Sequence, residues 1–132
     1  MKYLLDTHSF LWVLFEDERL SADVREKVKD LTNEIFVSVI SYWEISLKYS
    51  IGKLELKGVT PDELPDKAKE IAIQTLPIFE EESSTFYRLP KTKHKDPFDR
   101  LIIWQAINSK IELISKDKDV KKYQKFGLKT LW

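Results

Sequence analysis

The chain of 132 residues contains no cysteine, only three glycines and no long apolar run. Without cysteine it has neither a disulfide nor a thiolate zinc site, as is typical of a reducing cytoplasm. Gly52, Gly58 and Gly127 lie too far apart to form the glycine-rich turn of a dinucleotide-binding fold. No apolar run approaches the ~20 residues of a membrane-spanning helix, and the N-terminus lacks a signal-peptide core. We therefore expect a cytoplasmic protein without a membrane segment.

The chain also lacks net charge, because 22 basic residues balance 22 acidic ones. The balance conceals an uneven distribution. Residues 1–87 hold 10 basic and 17 acidic side chains, whereas residues 88–132 hold 12 and 5, so the formal charges are −7 and +7. A basic C-terminal third is suited to a polyanionic partner, although lysines on exposed helix faces give the same count.

Short apolar runs alternate with segments of helical periodicity along the whole chain. The pattern predicts strands at residues 2–5, 35–38, 73–78, 111–115 and 128–132. Helices are predicted over residues 8–15, 22–31, 39–51, 61–72, 80–89, 97–109 and 120–126. A hydrophobic content of 42% is enough for one core. We therefore expect a single α/β domain over residues 1–132, with a three-layer α/β/α arrangement around a mostly parallel sheet of four to five strands.

Acidic residues occur where such a sheet would present a ligand site. Asp6 and Asp117 follow the first and fourth predicted strands, and Asp99 lies in the first turn of the helix over 97–109. The carboxyl ends of parallel strands share one edge of a sheet, so these side chains can converge there. Glu44 is a fourth candidate, because it follows Ile40 on an otherwise aliphatic helical stripe that continues to Leu47 and Ile51.

Each acid also has a simpler explanation. Asp6 and Asp96 are suitable helix N-caps, and Asp99 complements the dipole of its own helix. Glu44 has Lys48 four residues later, a surface pair worth only about 0.3–0.5 kcal/mol. Local chemistry leaves both interpretations open.

Gathered carboxylates cannot all stay ionised without a counter-charge, because each raises the pKa of its neighbours. A hard divalent cation supplies that charge. The predicted cluster contains neither histidine nor cysteine, which favours Mg²⁺ or Mn²⁺ over zinc. Such a cation can activate water and polarise a phosphoryl oxygen.

Four segments of the chain, together with its Leu131-Trp132 ending, resemble the PIN-domain family, and within it the VapC-type toxins of toxin–antitoxin modules. The segments are Tyr3-Leu4-Leu5-Asp6-Thr7-His8, residues 39–48 around Trp43-Glu44-Ile45 together with Gly52-Lys53-Leu54, residues 96–106 around Asp96-Pro97-Phe98-Asp99-Arg100, and Leu113-Ile114-Ser115-Lys116-Asp117. Each motif is weak alone, but four in this order at this spacing are specific.

The resemblance implies a Mg²⁺- or Mn²⁺-dependent endoribonuclease that hydrolyses RNA phosphodiester bonds. It also implies a homodimer and a partner antitoxin that blocks the RNA groove. By position, it matches Asp6, Glu44, Asp99 and Asp117 to the family's acidic quartet of catalytic and metal-binding residues. Asp96 and Asp119 remain alternatives to Asp99 and Asp117. The expected substrate contacts are Thr7, Lys48, Lys95, Arg100 and Ser115.

Other functions fit the sequence less well. A phosphoacceptor receiver domain needs paired acids after the first strand, and a haloacid dehalogenase-type phosphatase needs an aspartate two residues after Asp6. Thr7 and His8 occupy those positions. A catalytically inactive PIN-like binding module remains the main alternative, and an activity or metal-binding assay separates it from an enzyme.

Overall fold

The computed structural model describes residues 1–132 as five strands and seven α-helices in alternation. The strands are β1 (Lys2–Leu5), β2 (Glu34–Ser38), β3 (Ile73–Leu76), β4 (Glu112–Ile114) and β5 (Thr130–Leu131). The helices are α1 (Thr7–Phe15), α2 (Ala22–Lys29), α3 (Val39–Ser50), α4 (Leu64–Glu70), α5 (Glu80–Thr85), α6 (Pro97–Ser109) and α7 (Lys118–Lys121). Short 3₁₀ helices occupy Asp17–Arg19, Pro61–Glu63, Phe86–Arg88 and Lys122–Phe126. None of the helices combines the length and apolar character that crossing a membrane requires.

The five strands form one parallel sheet in the order β3-β2-β1-β4-β5. β1 lies at the centre, where Leu5 is in register with Val37 of β2 and with Ile114 of β4. The predicted α/β class and parallel sheet are confirmed.

Side chains of β1 alternate between the two faces of the sheet, as the two-residue period of a strand requires. Tyr3 and Leu5 pack with buried residues of α1 to α4, whereas Leu4 packs with buried residues of α6. The sheet is therefore covered on both faces, in the three-layer arrangement that the sequence predicts.

The predicted element boundaries are correct to within a few residues, with one informative error. α2 ends at Lys29 instead of Leu31, and Leu31 is 91% exposed. The Asp30 carboxylate ends the helix by accepting hydrogen bonds from the backbone and hydroxyl of Thr32. Local side chain-to-backbone bonding of this kind favours a turn over continued helix.

The aliphatic stripe predicted along α3 is only partly buried. Ile40 and Glu44 face the interior, but Leu47 and Ile51 are 40% and 56% exposed. The last turns of α3 extend beyond the packed core, so the prediction is wrong for these two residues. It is right for Glu44, which lies in the part of the helix that packs on the sheet.

Candidate metal centre

The strand order places a crevice outside the carboxyl ends of β1 and β4. β2 follows β1 in sequence and pairs with one of its edges, whereas β4 pairs with the other edge. Open α/β sheets bind ligands at such a topological switch point, where the strand order changes direction. Asp6 directly follows β1, and Asp117 lies three residues after β4. Together with residues that include His8 and Lys116, they line a cavity of about 410 Å³.

Asp6 caps α1 and also faces this crevice. One carboxylate oxygen accepts a hydrogen bond from the Ser9 backbone N–H at 2.8 Å. The side chain is nearly buried, and burial raises its pKa; interactions with Ser115 and Ser9 only partly offset this effect. The capping and site interpretations of Asp6 are therefore compatible.

The N-terminus of α6 brings two aspartates together. Asp96 caps the helix by accepting hydrogen bonds from the backbones of Phe98 and Asp99. The carboxylates of Asp96, Asp99 and Glu44 have ligand atoms within 4.8 Å of one another. Burial, followed by the charges of Asp96, Glu44 and Asp6, raises the pKa of Asp99 to about 6. Such a rise in pKa is expected where several carboxylates lie close together in a partly buried site.

Glu44 is only 3% exposed, and both of its oxygens have partners. Oε1 accepts from the Thr7 hydroxyl at 2.7 Å, which in turn lies 2.9 Å from the Ser41 hydroxyl. Oε2 accepts from the Lys48 ammonium. The predicted Glu44–Lys48 pair exists, but its acid is buried instead of exposed.

Lys48 therefore forms an ion pair within the acidic cluster. Burial lowers its pKa, but the hydrogen bond to Glu44 and the charges of Glu44, Asp96 and Asp99 outweigh burial, so the pKa lies above its usual value. The ammonium stays charged at neutral pH and neutralises part of the cluster.

Asp117 completes the set from the β4 side. Its carboxylate accepts from the Asp119 backbone at 2.8 Å, and its own backbone donates to the Ser115 hydroxyl at 3.2 Å. Ligand atoms of Asp117, Asp99 and His94 lie within 4.8 Å of one another. Asp119 instead pairs with Lys122 at 3.1 Å on the surface, so the structure does not bring it into the cluster.

Two of the predicted substrate contacts lie beside the acidic cluster. Lys95 and Arg100 line a separate polar cavity of about 390 Å³. The Arg100 guanidinium donates to the carbonyls of Leu89 and Pro90 and to the hydroxyl of Tyr123. It anchors the loop that precedes α6.

His94 belongs to the cluster, although the sequence does not single it out. Its Nε2 lies 3.2 Å from Asp99 Oδ2, and its Nδ1 lies 3.2 Å from the Tyr123 hydroxyl. The expectation of a cluster without histidine is therefore wrong. No local pattern identifies His94, because Tyr123 positions it from 29 residues away in sequence.

The donor set suits a divalent cation. Several carboxylates meet at one place, the pKa of Asp99 is raised by its acidic neighbours, and Lys48 is the cation paired directly with a cluster carboxylate. Oxygen donors of this kind favour hard ions such as Mg²⁺ or Mn²⁺. The residues fit such an ion.

The fold is a parallel sheet between two layers of helices, and its carboxylates gather beyond the carboxyl ends of β1 and β4. These two features together define a class of α/β proteins that have an acidic site at this edge of the sheet. The PIN-domain model matches residues 3–126, which is most of the chain. The chain belongs to the PIN-domain family.

Individual proteins are similar to this chain over nearly its full length. The chain is 27% identical over 129 residues to Ribonuclease VapC22 of Mycobacterium tuberculosis, covering 98% of this chain and 97% of that protein. Its fold is similar to a chain in the crystal structure of VapBC2 from Rickettsia felis bound to a promoter DNA fragment, with a TM-score of 0.67, 16% identity, and coverage of 99% and 98%. DNA-bound VapBC from Salmonella typhimurium gives a TM-score of 0.66 at 13% identity, covering 99% of this chain and 97% of that one.

Proposed function

We propose that this protein is a Mg²⁺- or Mn²⁺-dependent endoribonuclease that acts in the cytoplasm as the toxin of a toxin–antitoxin pair. The observation that carries the proposal is the convergence of Asp99 with Glu44 on one side and with Asp117 on the other, beside Asp6 at the switch point of the sheet. The name of the relative Ribonuclease VapC22 supports the choice of RNA.

Asp6, Asp99 and Asp117 would hold the cation, with Glu44 completing the site. When bound, a divalent cation supplies an activated water and stabilises charge on the phosphoryl oxygens. Glu44 is held in one orientation by hydrogen bonds from Thr7 and Lys48, and in this proposal it orients a water molecule. Ser115 supports the Asp117 backbone.

The basic residues around the second cavity would hold the RNA backbone. Lys91 and Lys95 are exposed and lie beside His94 and Arg100. Lysine and arginine contacts to phosphates position a nucleic acid without reading its sequence. The phosphodiester bond would then lie between this cavity and the carboxylates.

A protein antitoxin and a second copy of the chain are the proposed partners. The similarity to chains of VapBC assemblies supports the antitoxin. Trp43 is 60% exposed and, with Phe98, lines an apolar groove next to the acidic cluster. An antitoxin segment seated there would restrict access to the carboxylates.

The decisive experiment is cleavage of a structured RNA pool by purified protein with Mg²⁺, Mn²⁺ or EDTA, beside the Asp99→Asn variant. We expect cutting that requires metal and is lost in the variant. Asn108→Ala in the same helix is the matched control, because Asn108 is exposed and far from the carboxylates in the helix. Absence of cutting with either metal, in protein shown to be free of antitoxin, would support the inactive binding module instead.

A further inference from the structure

We infer that His94 is a nitrogen ligand at the Asp99–Asp117 end of the metal centre and makes this end prefer Mn²⁺ to Mg²⁺. The inference rests on the metal centre of the proposed function. It adds a ligand and a metal preference that an all-carboxylate site would not have.

The spacing of the donors is the first argument. His94 Nε2 and Asp99 Oδ2 are 3.2 Å apart, and both lie within 4.8 Å of an Asp117 oxygen. Adjacent ligands of an octahedral cation, each about 2.1 Å from the metal, are about 3.0 Å apart. N–H···O hydrogen bonds extend to about 3.2 Å, so the same contact can carry a proton when no cation is bound. The His94–Asp99 separation also matches a pair of neighbouring ligands.

The hydrogen bonds of Tyr123 orient the imidazole. The Thr92 hydroxyl donates to the His94 carbonyl at 3.1 Å and lies 2.8 Å from the Tyr123 hydroxyl. The Tyr123 oxygen accepts from Arg100 at 2.8 Å and lies 3.2 Å from His94 Nδ1. The contact between Nδ1 and Tyr123 directs Nε2 towards Asp99.

Nε2 faces the Asp99 carboxylate, where a cation would be bound by both groups. When Nδ1–H donates to Tyr123, the lone pair of the imidazole is on Nε2 and is available to that cation. Histidine ligands of metals are oriented in this way, by a hydrogen bond from the ring nitrogen that does not bind the metal.

The support for His94 is rigid. The Tyr123 side chain is fully buried, and the His94 side chain is only 10% exposed. Arg100 fixes the same loop through the carbonyls of Leu89 and Pro90. The imidazole is therefore held in position by the fold.

A nitrogen donor changes which ions bind best. Imidazole ranks first-row transition ions above Mg²⁺, whereas carboxylates accept both. We expect removal of His94 to weaken Mn²⁺ binding about tenfold, the size of effect seen when histidine ligation is disturbed. Mg²⁺ affinity should change less than about threefold, because Mg²⁺ keeps its oxygen and water ligands.

The test is pulsed electron paramagnetic resonance of Mn²⁺ bound to the full chain, prepared without added histidines. The chain has two histidines, so His8→Ala is the matched control; His8 lines the same crevice with Asp6 and Asp117. We expect imidazole ¹⁴N modulation in the wild type and in His8→Ala, and its loss in His94→Asn, which retains an amide to bond Tyr123. Calorimetric titration with Mn²⁺ and Mg²⁺ measures the affinities without reference to activity.

Each outcome decides the point. Bound Mn²⁺ without imidazole modulation, or modulation that disappears in His8→Ala and persists in His94→Asn, overturns the role of His94 and leaves the carboxylate centre intact. A wild-type protein that binds no Mn²⁺ overturns the metal centre itself, and the inference with it. Thermal denaturation verifies that His94→Asn is folded, and if it is not, the wild-type and His8→Ala spectra suffice.

Discussion

At the scale of single residues, the acids of the crevice serve the fold and the site at once. Asp6 caps α1, Asp96 caps α6 and Asp117 caps the short helix α7, each by accepting backbone hydrogen bonds. Helix N-termini carry partial positive charge and thus favour carboxylates. Capping positions these side chains at the sheet edge, so the simpler explanation of each acid is part of how the site is built.

The Asp6→Asn substitution tests the helix-capping role of Asp6 separately from its proposed role in the site. Asparagine caps helices about as well as aspartate, so the Ser9 hydrogen bond and the fold should persist. The variant lacks the charge of a proposed metal ligand, and we expect RNA cleavage to fall by at least about a hundredfold with thermal stability unchanged or raised. An RNA cleavage assay and a melting curve check both parts. Cleavage at the wild-type rate would remove Asp6 from the mechanism.

Asp99→Asn should stabilise the metal-free protein at neutral pH. The Asp99 carboxyl has a pKa of about 6 in the folded chain against an ordinary value of 3.8. Between these values the folded state binds more protons than the unfolded state, so this group's contribution lowers stability as pH rises from about 4 to 6. We expect the variant to exceed the wild type by on the order of 1–2 kcal/mol at pH 7.5 in EDTA.

The measurement is urea unfolding of both proteins at several pH values. The two stabilities should converge as the pH falls below about 4, because the wild-type carboxyl becomes protonated in both states below both pKa values. A constant difference across the range would show that repulsion among the carboxylates is not its source.

Lys48→Met should destabilise the protein more than an ordinary helix ion pair would. The substitution leaves Glu44 buried without its cation, at a cost of about 1–3 kcal/mol given the partial exposure of Lys48. Lys27→Met is the matched control, because its pair with Asp23 has the same spacing on the surface of α2. Its cost should stay below about 0.5 kcal/mol. Saturating Mg²⁺ should reduce the difference, and equal costs in urea unfolding would contradict this account.

At the scale of elements, a buried glutamine fixes α6 relative to α3. The Gln105 side chain is fully buried; its Oε1 accepts from the Ser38 hydroxyl, and its Nε2 donates to the Pro77 carbonyl at 3.1 Å. The Ser38 hydroxyl also caps α3, since it accepts from the Ile40 backbone. α3 carries Glu44 and α6 carries Asp99, so this contact sets the distance between two acids of the site.

Gln105→Leu should therefore cost about 2–3 kcal/mol, because it leaves the O–H of Ser38 without an acceptor and the Pro77 carbonyl without a donor. We expect Mn²⁺ affinity to fall as well, since α3 and α6 lose a contact that holds them in place. Asn108→Ala, on the exposed side of α6, is the control and should stay within about 0.5 kcal/mol. Denaturant unfolding and metal titration measure the two effects. An unchanged Mn²⁺ affinity in a destabilised variant would limit Gln105 to stability.

Some features of the elements and of the site can be predicted from the sequence, and others cannot. Helices and strands follow from periodicity, and Asp6, Asp99 and Asp117 are found because they adjoin element ends. His94 lies in a loop without periodicity, and its position depends on Tyr123 from a distant segment. Leu47 is exposed because α3 extends past the core. The length of the core depends on tertiary packing, which the residues next to Leu47 in sequence do not determine.

At the scale of the whole molecule, the two chain segments of opposite formal charge contribute strands to opposite edges of the sheet. The segment over residues 88–132 supplies β4 and β5, which lie together on one side of β1. Its formal charge is +7 against −7 for residues 1–87. The carboxylates lie where these halves meet, and an RNA backbone would approach from the basic half.

This arrangement predicts binding to single-stranded RNA that weakens steeply with salt. Replacing Lys91 and Lys95 by alanine should reduce the slope of log K against log salt by about 1.4, as expected for two lost phosphate contacts. Lys53 and Lys69, both exposed in the acidic half, form the control pair and should leave the slope unchanged. Fluorescence anisotropy over a range of KCl concentrations gives the slopes. Equal slopes for the two double variants would argue against a basic RNA track.

The order of the acids along the chain has a consequence for synthesis. Asp6 and Glu44 precede β3 in the chain, whereas Asp99 lies in α6 and Asp117 follows β4. A chain emerging from the ribosome therefore contains two of the four acids of the site long before the other two have been synthesised. If the proposed ribonuclease activity needs all four, the nascent chain cannot cleave the messenger or the ribosome that is producing it until Asp117 has been synthesised.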